Sequence, residues 1–569
     1  MVVAYTAMDS GDDTVALNAI LATSQHVVLP PGNYHATTLN IVNDGTVLEF
    51  LGGAVLNLTN AAITGINVTG ANVTIMGPGA IKSPASWNGA NSRRTYATIW
   101  VAADGFTMTD VTLDYIPRAG VHFEDCTNHR IQDCRLIGKY PQADYNPAAT
   151  TGQMAIDYNP PASGGPRTDT GNGSLIVSNC RIESCIQGVF FGNYDGGASE
   201  VGVTITGNSF NRCWDHGIYC TLGEGQTITG NNFTNCKFPI VTDGKAATVV
   251  GNSLYATEDE ASNGQQVISV RNASDSVIAD NTLHGLGAGI YVDVVNTVTP
   301  ILRNRISGNV IRRTGAGVTE SAIRLGLAAI QCEDNVIENN LITGGHYGHS
   351  VGVIQLEMAS SRGLRNRVTG NKIERGGALG EIQSVNPIIN ALWQNYLTVE
   401  GNETICAITN TQANVVAHVY LTDCDYFTCN NNRMRHVSGV NVQARGVQVV
   451  GSSAGGEVNW NSFDLASALS AFAIDYVGPN ATVSSNHVSP AAKLYGSITV
   501  ASGSASGAAS NANAVAAFSR VRITPTNDAA GALVASPGVK AVVTAGTVTI
   551  STATGANAPA AATFGYELT

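Results

Sequence analysis

Charge is what this sequence is short of. Asp, Glu, Lys and Arg together make up 13% of its 569 residues, and aromatic residues only 6%. Wholesale disorder is excluded, because 44% hydrophobic content leaves ample material for a packed core. Basic residues are the scarcer sign and the net charge is −12, the reverse of what a nucleic-acid or anionic-membrane binder needs. No run of about 18 apolar residues occurs, so nothing in the sequence reads as a membrane-spanning helix. The start, MVVAYTAMDSGDD, has neither a basic n-region nor an apolar h-region, so no signal peptide is read there, and truncation from a longer chain stays open. The eleven cysteines show no CxxC or Cys/His metal spacing and are read as small, buried, reduced hydrophobes.

Glycine, by contrast, is abundant at 62 residues, and part of it belongs to a repeated phrase: apolar residue, two residues, Asn, one residue, apolar residue. It runs through Ile205–Asn208–Phe210, Ile228–Asn231–Phe233, Val249–Asn252–Leu254, Ile278–Asn281–Leu283 and Ile306–Asn309–Ile311. It continues through Val336–Asn339–Leu341, Val368–Asn371–Ile373, Cys429–Asn432–Met434, Val458–Asn461–Phe463 and Val483–Asn486–Val488, with Asn402 followed by Thr404 in place of the second apolar residue. Steps of 21 to 32 residues mark a solenoid. The apolar residues alternate as in half-buried strands, and no stretch carries helical spacing over the length that helix pairs need. An Asn at one point of every coil can bond to its copies about 4.8 Å above and below, as a ladder. Val111, Cys134 and Cys180 hold the same slot upstream, and Ile116, Cys185, Cys213 and Cys236 form a second inward column. These residues are scaffold. The strand after that column reads Val121-His122-Phe123, Ile156-Asp157-Tyr158, Val189-Phe190-Phe191, Ile218-Tyr219-Cys220 and Ile240-Val241-Thr242, with the middle residue of each triplet facing out.

The N-terminal stretch Asp9-Ser10-Gly11-Asp12-Asp13-Thr14, with Leu17, Ile20 and Leu21, precedes Val27-Val28-Leu29-Pro30-Pro31-Gly32-Asn33-Tyr34 and Gly52-Gly53-Ala54-Val55-Leu56. It resembles the opening segment of pectate-lyase-like β-helix proteins, among them phage tailspikes and polysaccharide depolymerases. That resemblance covers about the first 60 residues. It implies an all-β, right-handed parallel β-helix with a short N-terminal capping helix, in which Asp13 or Thr14 caps the helix. The implied domains are an N-terminal segment over 1–60, the β-helix over 61–500, and a linker with a small C-terminal β domain over 501–569. The last is suggested by the Ala/Ser/Gly-rich run 501–517 and the short alternating strands after it. It is similar in style to modules that close homotrimers, with a simple cap on the last coil as the alternative.

Loops inserted between coils carry function on such scaffolds. The step from Cys134 to Cys180 is long and holds two insertions within 138–173, and a third occupies 192–201. These flank the outward column, so Asp157, His122, Asp215, His216 and Tyr219 are the candidate catalytic residues. Arg118, Glu124, Lys139, Tyr140, Tyr158, Phe190, Asp195 and Asp243 are candidates to line a substrate groove. No metal-ligand spacing is present; the acidic run Thr257-Glu258-Asp259-Glu260 leaves calcium as a possible cofactor without a motif. A second resemblance, to alginate-epimerase-type β-helices, rests on Asp157 followed two coils later by His216-Gly217-Ile218. Tyr158 and Asn159 occupy the places of the Tyr and His that accompany that Asp in the family, a departure that tells against epimerisation.

Three functions fit these residues. A polysaccharide lyase needs a group that neutralises a uronate (Arg118 or Lys139), a base (His122 or His216) and an acid (Tyr219). A glycosidase needs two carboxyl groups, about 5–5.5 Å or 6.5–9.5 Å apart, here Asp157 with Asp215 or Glu124. The third is a non-catalytic receptor-binding spike. The favoured expectation is a tailspike-type depolymerase, a homotrimer on a virion tail or otherwise secreted. It would act on an O-antigen, capsule or alginate-like bacterial surface polysaccharide by β-elimination, with no nucleic-acid partner and no membrane insertion. Asp157→Asn is expected to abolish activity while leaving the thermal transition nearly unchanged.

Overall fold

The computed structural model describes residues 2–6, 11–60, 63–84, 96–124, 126–138, 153–159, 175–192, 202–220, 224–243, 245–256, 267–285, 287–294, 299–314, 321–326, 331–344, 352–358, 362–377, 386–408, 414–437, 442–465, 470–476, 482–484, 486–488, 495–500, 506–510, 521–525, 530, 539–544, 547–552 and 562–568. They fall into two compact units. One comprises Met1–Asn296 with Arg303–Val310, the other Thr297–Leu302 with Ile311–Thr569.

The first unit is a right-handed parallel β-helix in which each coil contributes one strand to each of three parallel sheets. One coil runs Val203–Thr206, Ser209–Asn211, His216–Cys220, and the next begins at Thr227–Thr229. Register is kept from coil to coil: Ile205 lies beside Ile228, Phe210 beside Phe233, and Ile218 beside Ile240. All six point inward and are fully buried, with the Phe210 and Phe233 rings stacked 4.7 Å apart. All eleven cysteines are buried thiols. Burial pushes the Cys185 thiol up to about 12, so this column is packing material rather than nucleophile.

At the corner between the first and second sheets one residue takes the left-handed conformation and the next is the ladder asparagine. Gly207, Gly230, Gly251 and Gly308 stand there at φ of 67°, 64°, 67° and 66°, and Asp280 takes the place once, at 55°. Only residues that tolerate positive φ suit this turn, which accounts for the Gly-Asn pairs. Asn231 shows the bonding. Its Oδ1 accepts from the backbone N–H and Nδ2 of Asn208 at 2.9 and 3.0 Å; its own N–H and Nδ2 donate to Oδ1 of Asn252, both at 3.0 Å, and Nδ2 also to the Ile205 carbonyl at 2.9 Å. Each buried polar group left without a partner costs about 1–3 kcal/mol. Asn231→Ala is therefore expected to lower the unfolding free energy by about 3 kcal/mol or more; denaturant titration showing a loss below about 1 kcal/mol would contradict the ladder's energetic role.

The helix Thr14–Thr23 packs Leu17 and Leu21 against the first strands. Its cap differs from expectation. Asp13 stands at the N-cap without a capping bond, because its carboxylate accepts from the Tyr5 hydroxyl at 2.8 Å and the His35 N–H at 2.9 Å. The carboxylate of Asp12 receives the Thr14 N–H instead, at 3.0 Å.

The second unit repeats the three parallel sheets and adds a fourth of two-residue strands, Ile301–Leu302, Cys332–Glu333, Gly363–Leu364 and Gln394–Asn395. One coil was read out of register. The ladder residue is Asn340, not Asn339, with Ile337 and Ile342 buried beside it. Asn339 occupies the left-handed corner at φ 55°. A further ladder, absent from the sequence reading, joins Asn335, Asn366 and Gln394 at the fourth sheet. Thr404, the exception to the apolar phrase, is buried and lies 2.8 Å from Nδ1 of buried His418. Beyond residue 494 the described strands form two three-stranded antiparallel sheets, one of Tyr495–Val500, Ala562–Leu568 and Val521–Pro525, the other of Ser506–Ser510, Thr547–Thr552 and Val539–Thr544. Ser506–Ser510 is thus a strand inside the run expected to be linker.

Candidate active site

The third sheet of the first unit aligns one outward residue per coil: Trp100, His122, Asp157, Phe190, Tyr219, Val241, Ser269 and Tyr291. Strand alternation between inward Ile or Val residues produces the column, and stretches far apart in sequence come to share one wall.

In the upper part of the column His122 and Asp157 are closed to solvent, beside half-buried Trp100. His122 Nδ1 lies 2.9 Å from Asp157 Oδ2, and the two side chains are 5% and 0% exposed. Glu124 accepts a 2.8 Å bond from the indole N–H of Trp100. Arg118 is buried where the strand begins, its carbonyl accepting from the Met154 N–H. Tyr158, expected in the groove, points into the core instead. It packs against Phe123, His129 and Phe191, and its hydroxyl donates to the Cys126 carbonyl at 2.9 Å. Alternation explains the difference, since the neighbour of an outward Asp157 must face inward. The depth of Asp157 also alters what its substitution should do. Asp157→Ala takes from buried His122 the partner of its Nδ1, and the fold is expected to lose about 1–3 kcal/mol, measurable by denaturant titration.

The lower part is accessible and richer in chemistry. His216 Nδ1 lies 3.0 Å from Asp215 Oδ2, with side chains 14% and 28% exposed. Gln187 donates to the same carboxylate at 3.2 Å. Burial alone would raise the Asp215 carboxyl; the neighbouring His216, then Gln187 and Lys237, outweigh it and hold the group below its ordinary value. Asp215 is thus an anion set beside the imidazole. The His216 ring lies 4.3 Å from that of Tyr219 and 5.3 Å from that of Phe238. Phe190, itself nearly buried, extends the platform with its ring 5.6 Å from Tyr219.

Over the Tyr219 ring stands Arg271, its Cζ 5.9 Å from the centroid. Sequence reasoning missed this residue. It ends the strand Val267–Arg271, two coils beyond Tyr219, on the same outward face as Ser269. Asp243 is the register partner of Arg271. Desolvation raises the Asp243 carboxyl to about 7, against the opposing pull of Arg271. Lys139, Tyr140 and Asp195, and the acidic run 257–260, fall outside the described residues. No group of His, Cys, Asp and Glu that could hold a metal is found among the described residues, and no helix among them is long and apolar enough to cross a membrane.

The family described as "Right handed beta helix region" matches residues 97–254 and 167–322, which include every member of this site. No curated protein matches the chain by sequence. Among solved structures it is similar to the surface adhesin PfbA of Streptococcus pneumoniae, at 13% identity over 74% of this chain and 89% of that one, TM-score 0.35. It is also similar to the tailspike protein of E. coli bacteriophage HK620 in complex with a pentasaccharide, at 11% identity over 99% and 91%, TM-score 0.39. An alginate lyase of family PL6 in complex with a trisaccharide aligns at 13% identity over 72% and 85%, TM-score 0.39.

Proposed function

For a right-handed parallel β-helix with this outer wall, we propose that the protein binds and cleaves a long polysaccharide by β-elimination at a uronic acid. The observation that supports it is Tyr219 packed between His216 and Arg271, with Asp215 behind the histidine. Arg271 neutralises the uronate carboxylate, which acidifies the adjoining C5 proton. His216, its Nδ1 lying 3.0 Å from Asp215 Oδ2, takes that proton on Nε2. The C5 electron pair forms the C4=C5 double bond as the C4–O bond breaks, and the Tyr219 hydroxyl protonates the departing oxygen. The aromatic surface of Phe190, Tyr219 and Phe238 suits the apolar faces of sugar rings. His122 and Asp157, closed off above, brace the wall and do not react. The N-terminal resemblance to tailspikes supports a bacterial surface polysaccharide as substrate and an extracellular site of action.

One observation favours a second reading, hydrolysis. A carboxyl held near 7, as at Asp243, is what the acid of a glycosidase requires. Incubation with uronate-containing bacterial polysaccharides separates the cases. Elimination yields fragments with a new ultraviolet absorbance from the conjugated double bond; hydrolysis yields reducing ends without it; a binding spike yields neither.

A further inference from the structure

The second unit carries its own outward column on its third sheet, and it is polar where the first is aromatic. Gln355, Asn390, Tyr420 and Gln448 lie in register on successive coils, with Thr422 two residues beyond Tyr420 on the same face. Asn390 and Gln448 are only 4% and 5% exposed, whereas Tyr420 is half-buried. Among the described residues, Asn390 Oδ1, Thr422 Oγ1 and Gln448 Oε1 are shut off from solvent and have no hydrogen-bond partner.

The orientation of Asn390 is set by its neighbours. Gln355 Oε1 accepts the Gly352 N–H at 2.8 Å, and Gln355 Nε2 donates to Glu357 at 3.1 Å, so this amide has one sensible orientation. The group of Asn390 that meets Gln355 Oε1, at 2.9 Å, must then be Nδ2. Its oxygen is left over by construction. Folded proteins pair nearly all buried polar atoms, and an orphaned amide oxygen costs free energy that an apolar residue of the same shape would not. Three such atoms gathered around one half-exposed tyrosine are a cost that folding alone does not explain.

We propose that Asn390, Tyr420, Thr422 and Gln448 form a carbohydrate-binding subsite, separate from the cleavage site, that takes a neutral pyranose unit. The ligand class follows from the atoms. Asn390 Oδ1, whose identity its neighbours fix, is an acceptor only, so the ligand must donate to it, and sugar hydroxyls donate. The tyrosine ring offers a surface for the C–H face of the pyranose. The four residues are uncharged, and the charged residues that continue the column, Arg324 beside Gln355 and Asp475 beside Gln448, are of opposite sign, which suits a neutral sugar better than a uronate.

The probes are the methyl glycosides of glucose, galactose, mannose and N-acetylglucosamine, titrated against the full chain by saturation-transfer NMR. At least one is expected to bind wild type, and Tyr420→Ala and Thr422→Val are each expected to weaken that Kd about tenfold. Thr422→Val removes an orphan without changing shape, so its melting temperature should stay level or rise while binding falls. His216→Ala should bind the glycoside as wild type does, which keeps this test independent of the proposed lyase reaction. Binding by none of the four probes overturns the subsite, as does binding that persists unchanged in Tyr420→Ala and Thr422→Val.

Discussion

His216→Ala is expected to abolish the release of ultraviolet-absorbing fragments, lowering turnover by about 10²–10⁴-fold, the usual contribution of a positioned general base. The fold should be untouched, because His216 is partly exposed, starts its strand and contributes no inward packing. Tyr219→Phe tests the acid separately. It keeps the ring that His216 and Arg271 pack against and removes only the hydroxyl, so substrate binding should persist while turnover falls. Arg271→Lys keeps a charge but loses the planar fork that pairs with a carboxylate, and should act mainly on uronate recognition. If all three variants cleaved at the wild-type rate, the chemistry would have to lie elsewhere on the wall. Unchanged cleavage in Arg271→Lys together with a dead Asp243→Asn would move the assignment to hydrolysis, where Asp243 is the acid.

The architecture was legible because a solenoid repeats its constraints. Each coil must turn through the same left-handed corner and satisfy the same buried backbone groups, so Gly-Asn pairs recur at coil spacing. Where the chain offers two equivalent residues the reading slips. In Glu338-Asn339-Asn340 both asparagines suit either role, and only the burial of Ile337 and Ile342 decides that Asn340 enters the ladder. The ladder at the fourth sheet was invisible for a related reason. Its members change type from Asn335 and Asn366 to Gln394, so no single letter repeats.

Alternation turns Tyr219 outward, with Asp215 and His216 read as corner residues beneath it, and the same rule applied one residue further would have removed Tyr158. Arg271 was lost because the column was followed only as far as Val241. The strand Val267–Arg271 begins 26 residues on, and Val267-Ile268-Ser269-Val270-Arg271 alternates as its predecessors do. Burial was the other hidden quantity. A pattern of facing residues gives direction but not depth, so His122 and Asp157 read as groove residues although they are closed to solvent.

Depth also governs how the protein responds to acid. Burial lowers the His129 imidazole to about 4 in the first unit and His418 to about 3 in the second, where neighbouring His436 adds a repulsive contribution and is itself lowered by burial. In the unfolded chain these groups titrate near 6.5. The folded state therefore binds fewer protons than the unfolded state below that pH. Stability is complete above about 6.5 and falls as pH drops. The fall levels off for His129 below about 4 and for His418 below about 3, where the folded forms take up the proton too. Each pH unit of mismatch is worth about 1.4 kcal/mol per group, so at pH 5 each histidine should remove on the order of 2 kcal/mol. Because the residues sit in different units, both should weaken together, and thermal melts should shift down steeply between pH 6.5 and 4. His129→Phe keeps a flat ring against Phe123, which lies 4.2 Å away, and deletes the titrating group. That variant should melt with a shallower pH dependence than wild type; an identical slope would mean that the His129 imidazole already exchanges protons with solvent in the folded state.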